Sequence, residues 1–134
     1  MKMRLIIGIA FLLIGCSSHQ RTVYLNLDLE DSETGMPLPG VAINITVKSP
    51  GFPMDKIFPV GDFFSDDKGE FEYEFQTSTK QICLLFHKDI EGSDFFYDLD
   101  WEKNPVECLE VKNENERFQL KFFLKRHKRL EPEP

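Results

Sequence analysis

Helical periodicity, clustered histidine and basic charge are all scarce in this sequence, and each scarcity excludes a class of protein. After residue 20, no stretch keeps apolar residues at the spacing of an amphipathic helix. No histidine or cysteine cluster has metal-ligand spacing, and neither a nucleophile elbow nor a phosphate-binding glycine loop occurs. The 16 basic against 23 acidic side chains argue against nucleic acid as a partner. We therefore expect no metal, no cofactor and no catalytic role.

A long hydrophobic run is also lacking. The longest, residues 5–14, is about half of the roughly 20 residues that a membrane-spanning helix needs. Lys2 and Arg4 precede this run and small Gly15 follows it, in the order of a signal peptide. We expect residues 1–15 to be cleaved as a signal peptide. The alternatives are an ordinary secretory signal that a cysteine follows by chance, or a short buried helix.

The cysteine after the apolar run refines the prediction. Leu13-Ile14-Gly15-Cys16 resembles the bacterial lipobox, in which the Cys thiol receives a diacylglycerol and becomes the new N-terminus. Acyl chains on Cys16 would hold the protein on a membrane surface, with residues 16–21 as a lipidated N-terminus and short linker. Ser17 in place of Asp favours the outer membrane of the cell envelope. The chain from residue 16 onward keeps 14 basic against 23 acidic side chains, a formal charge of −9.

Alternation of apolar and polar residues predicts an all-β domain over residues 22–125. Val23, Leu25, Leu27 and Leu29 alternate with polar neighbours, and Val41, Ile43, Ile45 and Val47 repeat the scheme. Further strand candidates are IFPVGDFF, EFEYEFQ, ICLLFH, DFFYDLDW, PVECLEV and ERFQLKFFL. Seven to eight short strands at this spacing are typical of an antiparallel β-sandwich.

Two connections carry a resemblance to a known family. The stretch DSETGMPLPGV, Asp31–Val41, resembles the link between the first two strands of carboxypeptidase-regulatory-like domains, which are transthyretin-like (Ig-like) sandwiches. The stretch Asp66–Phe71 resembles a later hairpin of that family, with Ser65 in place of the usual Thr, and we expect a positive φ at Gly69. The resemblance implies a non-catalytic accessory or binding module and names no ligand.

Two cysteines remain for the folded domain. An oxidising envelope compartment would let Cys83 and Cys108 form a disulfide, which would stabilise the fold by roughly 2 to 4 kcal/mol. The alternative is two buried thiols that pack as small hydrophobic side chains.

One segment mixes acidic and aromatic residues in a way that suits partner binding. In KDIEGSDFFYDLDWEKN, strand alternation places Phe95, Tyr97, Leu99 and Trp101 on one face and Phe96, Asp98 and Asp100 on the other. A core face opposite a solvated acidic face is the alternative, but Phe96 on the polar face keeps Phe96, Asp98, Asp100 and Trp101 as candidate partner-binding residues.

The loop SPGFPMDKIFP is a second candidate. Phe52 and Met54 stand among prolines where a surface connection is normally polar, so they either bind a partner or fold back over the end of the sandwich.

Near the C-terminus, basic residues precede a Pro- and Glu-rich end, and we expect residues 126–134 to be a tail. If eight antiparallel strands return the chain to its starting end, Lys125, Arg126, Lys128 and Arg129 would face the lipid headgroups. A solvated tail is the alternative.

The sequence thus predicts a lipid-anchored envelope protein that binds or scaffolds another envelope protein. An inhibitor or immunity-type lipoprotein that captures a basic enzyme is one alternative, suggested by the acidic charge. A docking component of a secretion or uptake machine is another.

Overall fold

The computed structural model describes residues 20–104 and 108–130, and these residues form an all-β domain, as the alternation predicts. Its strands are β1 (Arg21–Asp31), β2 (Ala42–Ser49), β3 (Lys56–Phe64), β4 (Glu70–Thr77), β5 (Gln81–Asp89), β6 (Phe95–Leu99), β7 (Cys108–Glu110) and β8 (Asn115–Lys128). In residues 20–104 and 108–130, the structure contains no helix whose length and hydropathy would allow it to span a membrane.

The strands follow the order β3-β2-β5-β6-β8-β1-β4, and β7 pairs with β5. Each of these neighbouring pairs is antiparallel except β1 and β8, which run parallel from Thr22 opposite Asn115 to Asp31 opposite Leu124. The expectation of a purely antiparallel sheet is therefore wrong at this one pair.

The core lies between the two halves of this folded sheet. Apolar residues at alternate positions point inward, as the pattern predicts for β1 and β2, and Phe86 of β5 meets Phe122 of β8 with ring centroids 4.7 Å apart. The fully buried members are Val23, Leu25, Leu27, Leu29, Val41, Ile43, Ile45, Ile82, Leu84, Val111 and Leu124. Burial of each such side chain contributes about 1.5 to 3 kcal/mol, so this layer is the main source of stability.

The two end strands of the sheet, β3 and β4, meet through side chains. Phe63 of β3 contacts Phe71 and Tyr73 of β4 at centroid distances of 5.2 and 4.5 Å. The predicted hairpin between these strands is wrong, since β3 pairs with β2 and β4 pairs with β1. The positive φ at Gly69 is confirmed at 72°. The predicted turn is therefore correct, although the strands that it joins are the two opposite end strands of the sheet.

The connection that resembles the family motif is held by two short side chains. Asp31 accepts hydrogen bonds through Oδ1 from the backbone N–H groups of Glu33 (2.8 Å) and Thr34 (3.2 Å). Buried Ser65 accepts from the Val41 N–H (2.9 Å) and donates to the Leu38 carbonyl (2.8 Å). These bonds fix the path of the chain from β1 to β2.

The strand directions give the domain two distinct ends. The proximal end is where β1 begins at Arg21, which pairs with Thr77, and it also contains the loops 50–55 and 78–80. The distal end is where β1 ends at Asp31, and it contains the loops 32–41 and 65–69 and the end of β8. At about 3.3 Å per residue, the 11 residues of β1 separate the two ends by roughly 33 Å.

Several predictions fall on residues that the structure does not describe. These are the signal at 1–15, lipidation at Cys16, the last four residues of the tail, and residues 105–107 of one predicted strand. The predicted domain limits of 22 and 125 need correction, because β1 begins at Arg21 and β8 continues to Lys128.

Candidate functional site

The acidic and aromatic segment of β6 lies directly beside the basic end of β8. In the antiparallel register, Phe96 stands opposite His127, Tyr97 opposite Arg126 and Asp98 opposite Lys125. The prediction that a tail begins at residue 126 is wrong, because residues 126–128 are bonded into the sheet. Two features that are about 30 residues apart in the sequence therefore form one surface.

Two arginine side chains of this surface lie over aromatic rings of β6. The Arg126 guanidinium lies 4.7 Å from the centre of the Phe95 ring, and that of Arg129 lies 5.9 Å from the Phe96 ring. Arg129 also forms an ion pair with Asp89. Cation–π contacts at exposed sites contribute about 0.5 to 1 kcal/mol each, so they help to hold the basic residues along β6.

Phe96 is the centre of a stack of three rings. The His87 ring lies 5.6 Å from it on one side and the His127 ring 5.5 Å on the other, with interplanar angles of 29° in both cases. His87 Nε2 is also 3.0 Å from Asp89 Oδ1. Phe96 is thus part of an ordered surface that includes three strands.

A cleft of about 260 Å³ opens next to this stack at the distal end. It is lined by Asp98, Leu99, Asp100, Trp101, Glu102, Lys125 and His127. Trp101 is 53% exposed because β6 ends at Leu99 and the chain turns away from the sheet. The predicted placement of Trp101 on the core face with Leu99 is therefore wrong, whereas Leu99 itself is buried.

The turn that carries Trp101 is tied to β8 by backbone bonds. Asp100 donates its N–H to the Phe123 carbonyl (2.9 Å), and its own carbonyl accepts from the N–H of Asn104 (2.9 Å). Buried Asn104 donates through Nδ2 to the Phe123 carbonyl (2.8 Å) and accepts through Oδ1 from the Phe123 N–H (3.2 Å). The exposed indole consequently stands on a rigid support.

The carboxylate of Asp100 is stabilised by this turn. Desolvation acts to raise its pKa, but hydrogen bonds from the Ser32 side chain and the N–H groups of Glu102 and Lys103, with the Lys103 charge, outweigh it and lower the pKa. Asp98 accepts from the Leu99 N–H at 2.8 Å. Both candidate aspartates therefore lie in the cleft, and part of their bonding capacity is used by the backbone.

A carboxylate at the end of β1 is hydrogen-bonded to β6, the strand that carries part of the cleft lining. Tyr97 donates its hydroxyl to Asp31 Oδ2 at 2.8 Å, which links the family-like connection to β6. Burial acts to raise the pKa of Asp31, but this bond, the two N–H donors and the Arg126 charge outweigh it and hold the pKa below its usual value. For Tyr97, burial together with the Asp31 bond and charge raises the pKa of the phenol.

The other candidate residues lie at the proximal end, away from the cleft. Phe52 is 99% exposed and Met54 is 75% exposed, so the alternative that they fold back over the sandwich is wrong. Cys83 and Cys108 are opposite one another on β5 and β7 and form a disulfide. The predicted set of partner-binding residues therefore divides between the two ends of the domain.

The basic residues Lys125, Arg126, Lys128 and Arg129 follow Leu124, which pairs with Asp31 at the distal end. The prediction that they share an end with the start of the chain is wrong, because it assumed that β8 runs antiparallel to β1. With β1 and β8 parallel, the basic run and Arg21 lie at opposite ends of the domain.

Sequence reasoning did not include Lys125 and His127 in the cleft, and it gave no role to Asp31 or Tyr97. Their proximity depends on the pairing of β6 with β8, for which the sequence has only the opposite charges of the two segments as a signal. In the described ranges, no three His, Cys, Asp or Glu side chains are grouped so that they could hold a metal ion.

Comparison with known proteins adds two partial likenesses of fold. No family model matches the chain, and no curated protein matches it. A 9R-lipoxygenase from Cyanothece PCC8801 aligns with 77% of this chain at 16% identity and a TM-score of 0.42, and a chlorocatechol 1,2-dioxygenase from Pseudomonas putida with 80% at 13% identity and 0.44. The aligned part is 16% of the lipoxygenase chain and 61% of the dioxygenase chain.

These likenesses correct one expectation. Both matching chains are enzymes, so we withdraw the prediction that this chain has no catalytic role. With identities of 13% and 16% and TM-scores below 0.5, the likenesses assign no reaction, substrate or cofactor to the chain.

Proposed function

We propose that this chain is a lipid-anchored protein of the bacterial cell envelope, on the outer membrane, whose sandwich binds or scaffolds another envelope protein. The anchor is proposed on the order of charge, apolar run, small residue and cysteine that ends at Cys16. Partners of this kind include the components of a secretion or uptake machine. The transthyretin-like resemblance of Asp31–Val41 is consistent with such a binding role.

The observation that carries the binding role is the position of the cleft. Trp101 is exposed on a rigid turn at the distal end, roughly 33 Å from the end where β1 begins. A protein held through Cys16 would present this end away from its membrane. Exposed Trp side chains of fixed orientation are enriched among the residues that dominate binding at protein interfaces, and charged residues are typical of the rim that surrounds them.

Capture of a basic enzyme is less well supported by the same surface. Lys125 and His127 line the cleft together with the acidic residues, and Arg126 lies opposite Tyr97. A strongly basic partner would meet these cations as well as Asp98 and Asp100, so the local charge favours a partner of mixed character.

Site-specific cross-linking in intact envelopes tests the binding role. A photo-reactive phenylalanine analogue at position 101 should give one discrete adduct, whereas the same group at exposed Glu72 on β4 should give none. Glu102→Lys at the rim of the cleft should remove the adduct. Equal adducts at positions 101 and 72, or an adduct that survives Glu102→Lys, would contradict a binding site in this cleft.

Metabolic labelling tests the anchor separately. An alkyne fatty acid should label the wild-type chain, and Cys16→Ala should abolish both the label and the cleavage before residue 16. A labelled Cys16→Ala chain would refute lipidation at this cysteine.

A further inference from the structure

The loop 50–55 presents apolar side chains without any cover from the domain. Phe52 is 99% exposed and Met54 is 75% exposed, and Ile57 follows at 63% on the adjoining edge strand. Asp55 closes the base of the loop, because its carboxylate accepts from the Gly51 N–H (3.4 Å) and lies 3.3 Å from Lys48 Nζ. The loop is therefore a closed turn that points its largest apolar side chains outward.

This loop lies at the same end of the domain as the start of β1. Lys48 pairs with Ile57 on one side and with Gln81 on the other, and only three residues link Gln81 to Thr77, the partner of Arg21. Cys16 precedes Arg21 by five residues, a reach of roughly 17 Å at most. A lipid on Cys16 would therefore bring this end of the domain against the bilayer.

The charges that line the cavity beside the loop are balanced, and exposed Lys56 directly follows the loop. Lys48, Lys80, Asp55 and Glu110 line a shallow cavity beside it, two of each sign. The cavity therefore offers no excess of positive charge to anionic headgroups, and the apolar surface of the loop is the part suited to contact a bilayer. Aromatic and aliphatic side chains of this size partition into the interface of a bilayer.

We propose that Phe52 and Met54 insert into the bilayer that holds the lipidated Cys16, so that the domain is attached to its membrane at two points. This inference rests on the proposed lipid anchor. Attachment at two points fixes the orientation of the sandwich, with the cleft at Trp101 directed away from the membrane, whereas a lipid on a short linker leaves the domain free to tilt.

Fluorescence quenching in vesicles tests the insertion. The mature chain, residues 16–134, is coupled through the Cys16 thiol to a maleimide lipid in phosphatidylcholine vesicles, with Cys83 and Cys108 kept as a disulfide. Trp101→Phe removes the native indole, and Phe52→Trp supplies one reporter. Ser78→Trp is the matched control, because position 78 is exposed at the same end but lies outside the apolar loop.

Brominated acyl chains should lower the emission of the reporter at position 52 by about half and that at position 78 much less, since only an inserted indole reaches the hydrocarbon boundary. Equal quenching at both positions, or none at either, would overturn the proposal. Because the coupling chemistry supplies the lipid, this result is independent of whether cells acylate Cys16. If metabolic labelling succeeds but quenching fails, the lipid anchor at Cys16 stands and only the insertion of Phe52 and Met54 is refuted.

Sedimentation of the same chain without vesicles examines a second copy as the competing occupant. We expect a monomer. A dimer that forms with increasing concentration and disappears in Phe52→Ser would assign the loop to self-association and overturn the proposal.

Discussion

At the proximal end a disulfide and an uncovered apolar loop dominate, whereas the distal end is held by carboxylate and amide side chains bonded to the backbone. The disulfide between Cys83 and Cys108 joins β5 to β7 covalently, and the side chains of Phe52 and Met54 in the loop 50–55 are exposed. At the distal end, Asp31 and Asn104 each bridge separate elements of the fold. The exposed aromatic residues at the two ends therefore differ in their setting: Phe52 lies on a loop that the domain does not cover, whereas Trp101 lies on a turn bonded to β8.

The largest expected effect is loss of the covalent link at the proximal end. Changing both Cys83 and Cys108 to Ala should destabilise the domain by about 3 kcal/mol, because the bond closes a loop of 25 residues in the unfolded chain. Urea unfolding of the oxidised wild-type and the double variant measures the change. An unaltered midpoint, or free thiols by mass mapping of the wild-type, would show that the proximal end does not depend on this bond.

A smaller effect is expected at the distal turn of Gly69. A Cβ there would lie 2.8 Å from both the Leu29 carbonyl oxygen and the Leu38 nitrogen, and φ is +72°. Gly69→Ala should therefore cost about 2 to 3 kcal/mol. Gly35→Ala is the control, since φ is +73° but no atom lies within 4 Å, and it should cost only about 1 kcal/mol. Equal losses for the two variants would exclude the close contact as the cause.

Removing the Asp31 charge should weaken the distal end by about 1.5 kcal/mol at neutral pH, because a charged acceptor of three hydrogen bonds becomes a poorer one in Asp31→Asn. The folded pKa of Asp31 is lowered, so this contribution is present above the unfolded value of about 3.9 and is lost as the pH falls through the folded value.

Urea titrations from pH 7 to pH 2 measure this pH dependence. The stability difference between the wild-type and Asp31→Asn should narrow at the acid end of the series. Tyr97→Phe removes the hydroxyl but not the carboxylate and provides the control, with a loss of about 1 kcal/mol. A difference that stays constant over the whole pH range would show that the Asp31 charge does not stabilise the fold.

The smallest expected effects on stability are those of the exposed aromatic residues. Trp101→Ser and Phe52→Ser should each change the free energy of unfolding by less than about 0.5 kcal/mol, because neither side chain is packed into the core. Recovery of the envelope partner with the purified chain should be lost in Trp101→Ser, whereas Phe52→Ser should keep the partner and should lower binding of the chain to phosphatidylcholine vesicles. A loss of both activities in one variant would remove the distinction between the two ends.

Local pattern was sufficient for the strands and insufficient for their arrangement. Alternating residues such as Val23 and Ile43 reveal a buried face because successive side chains of a strand point to opposite sides. The positive φ of Gly69 follows from turn chemistry. The pairing of β1 with β8 does not, because strands that are distant in sequence leave no local signal of direction, and this single parallel pair reverses the predicted location of Lys125 and Arg126.

The candidate site shows the same limit. Trp101, Asp98 and Asp100 can be chosen as candidates from composition, but strand alternation places Trp101 on the same face as buried Leu99, and it fails there because β6 ends at Leu99. Lys125 and His127 could not be chosen, since they reach the cleft only through the register of β6 with β8.

The parallel pair also has a mechanical consequence. Ten residues of β1, from Thr22 to Asp31, are in register with β8, and the two strands leave the domain at opposite ends. A force that pulls Arg21 one way and Lys128 the other slides these strands along each other, so the rungs of the ladder share the load and must yield together. An antiparallel pair pulled from neighbouring ends would instead unzip one rung at a time. Tension carried between the start of β1 and the end of β8 is thus resisted in shear, the direction in which a β-ladder is strongest.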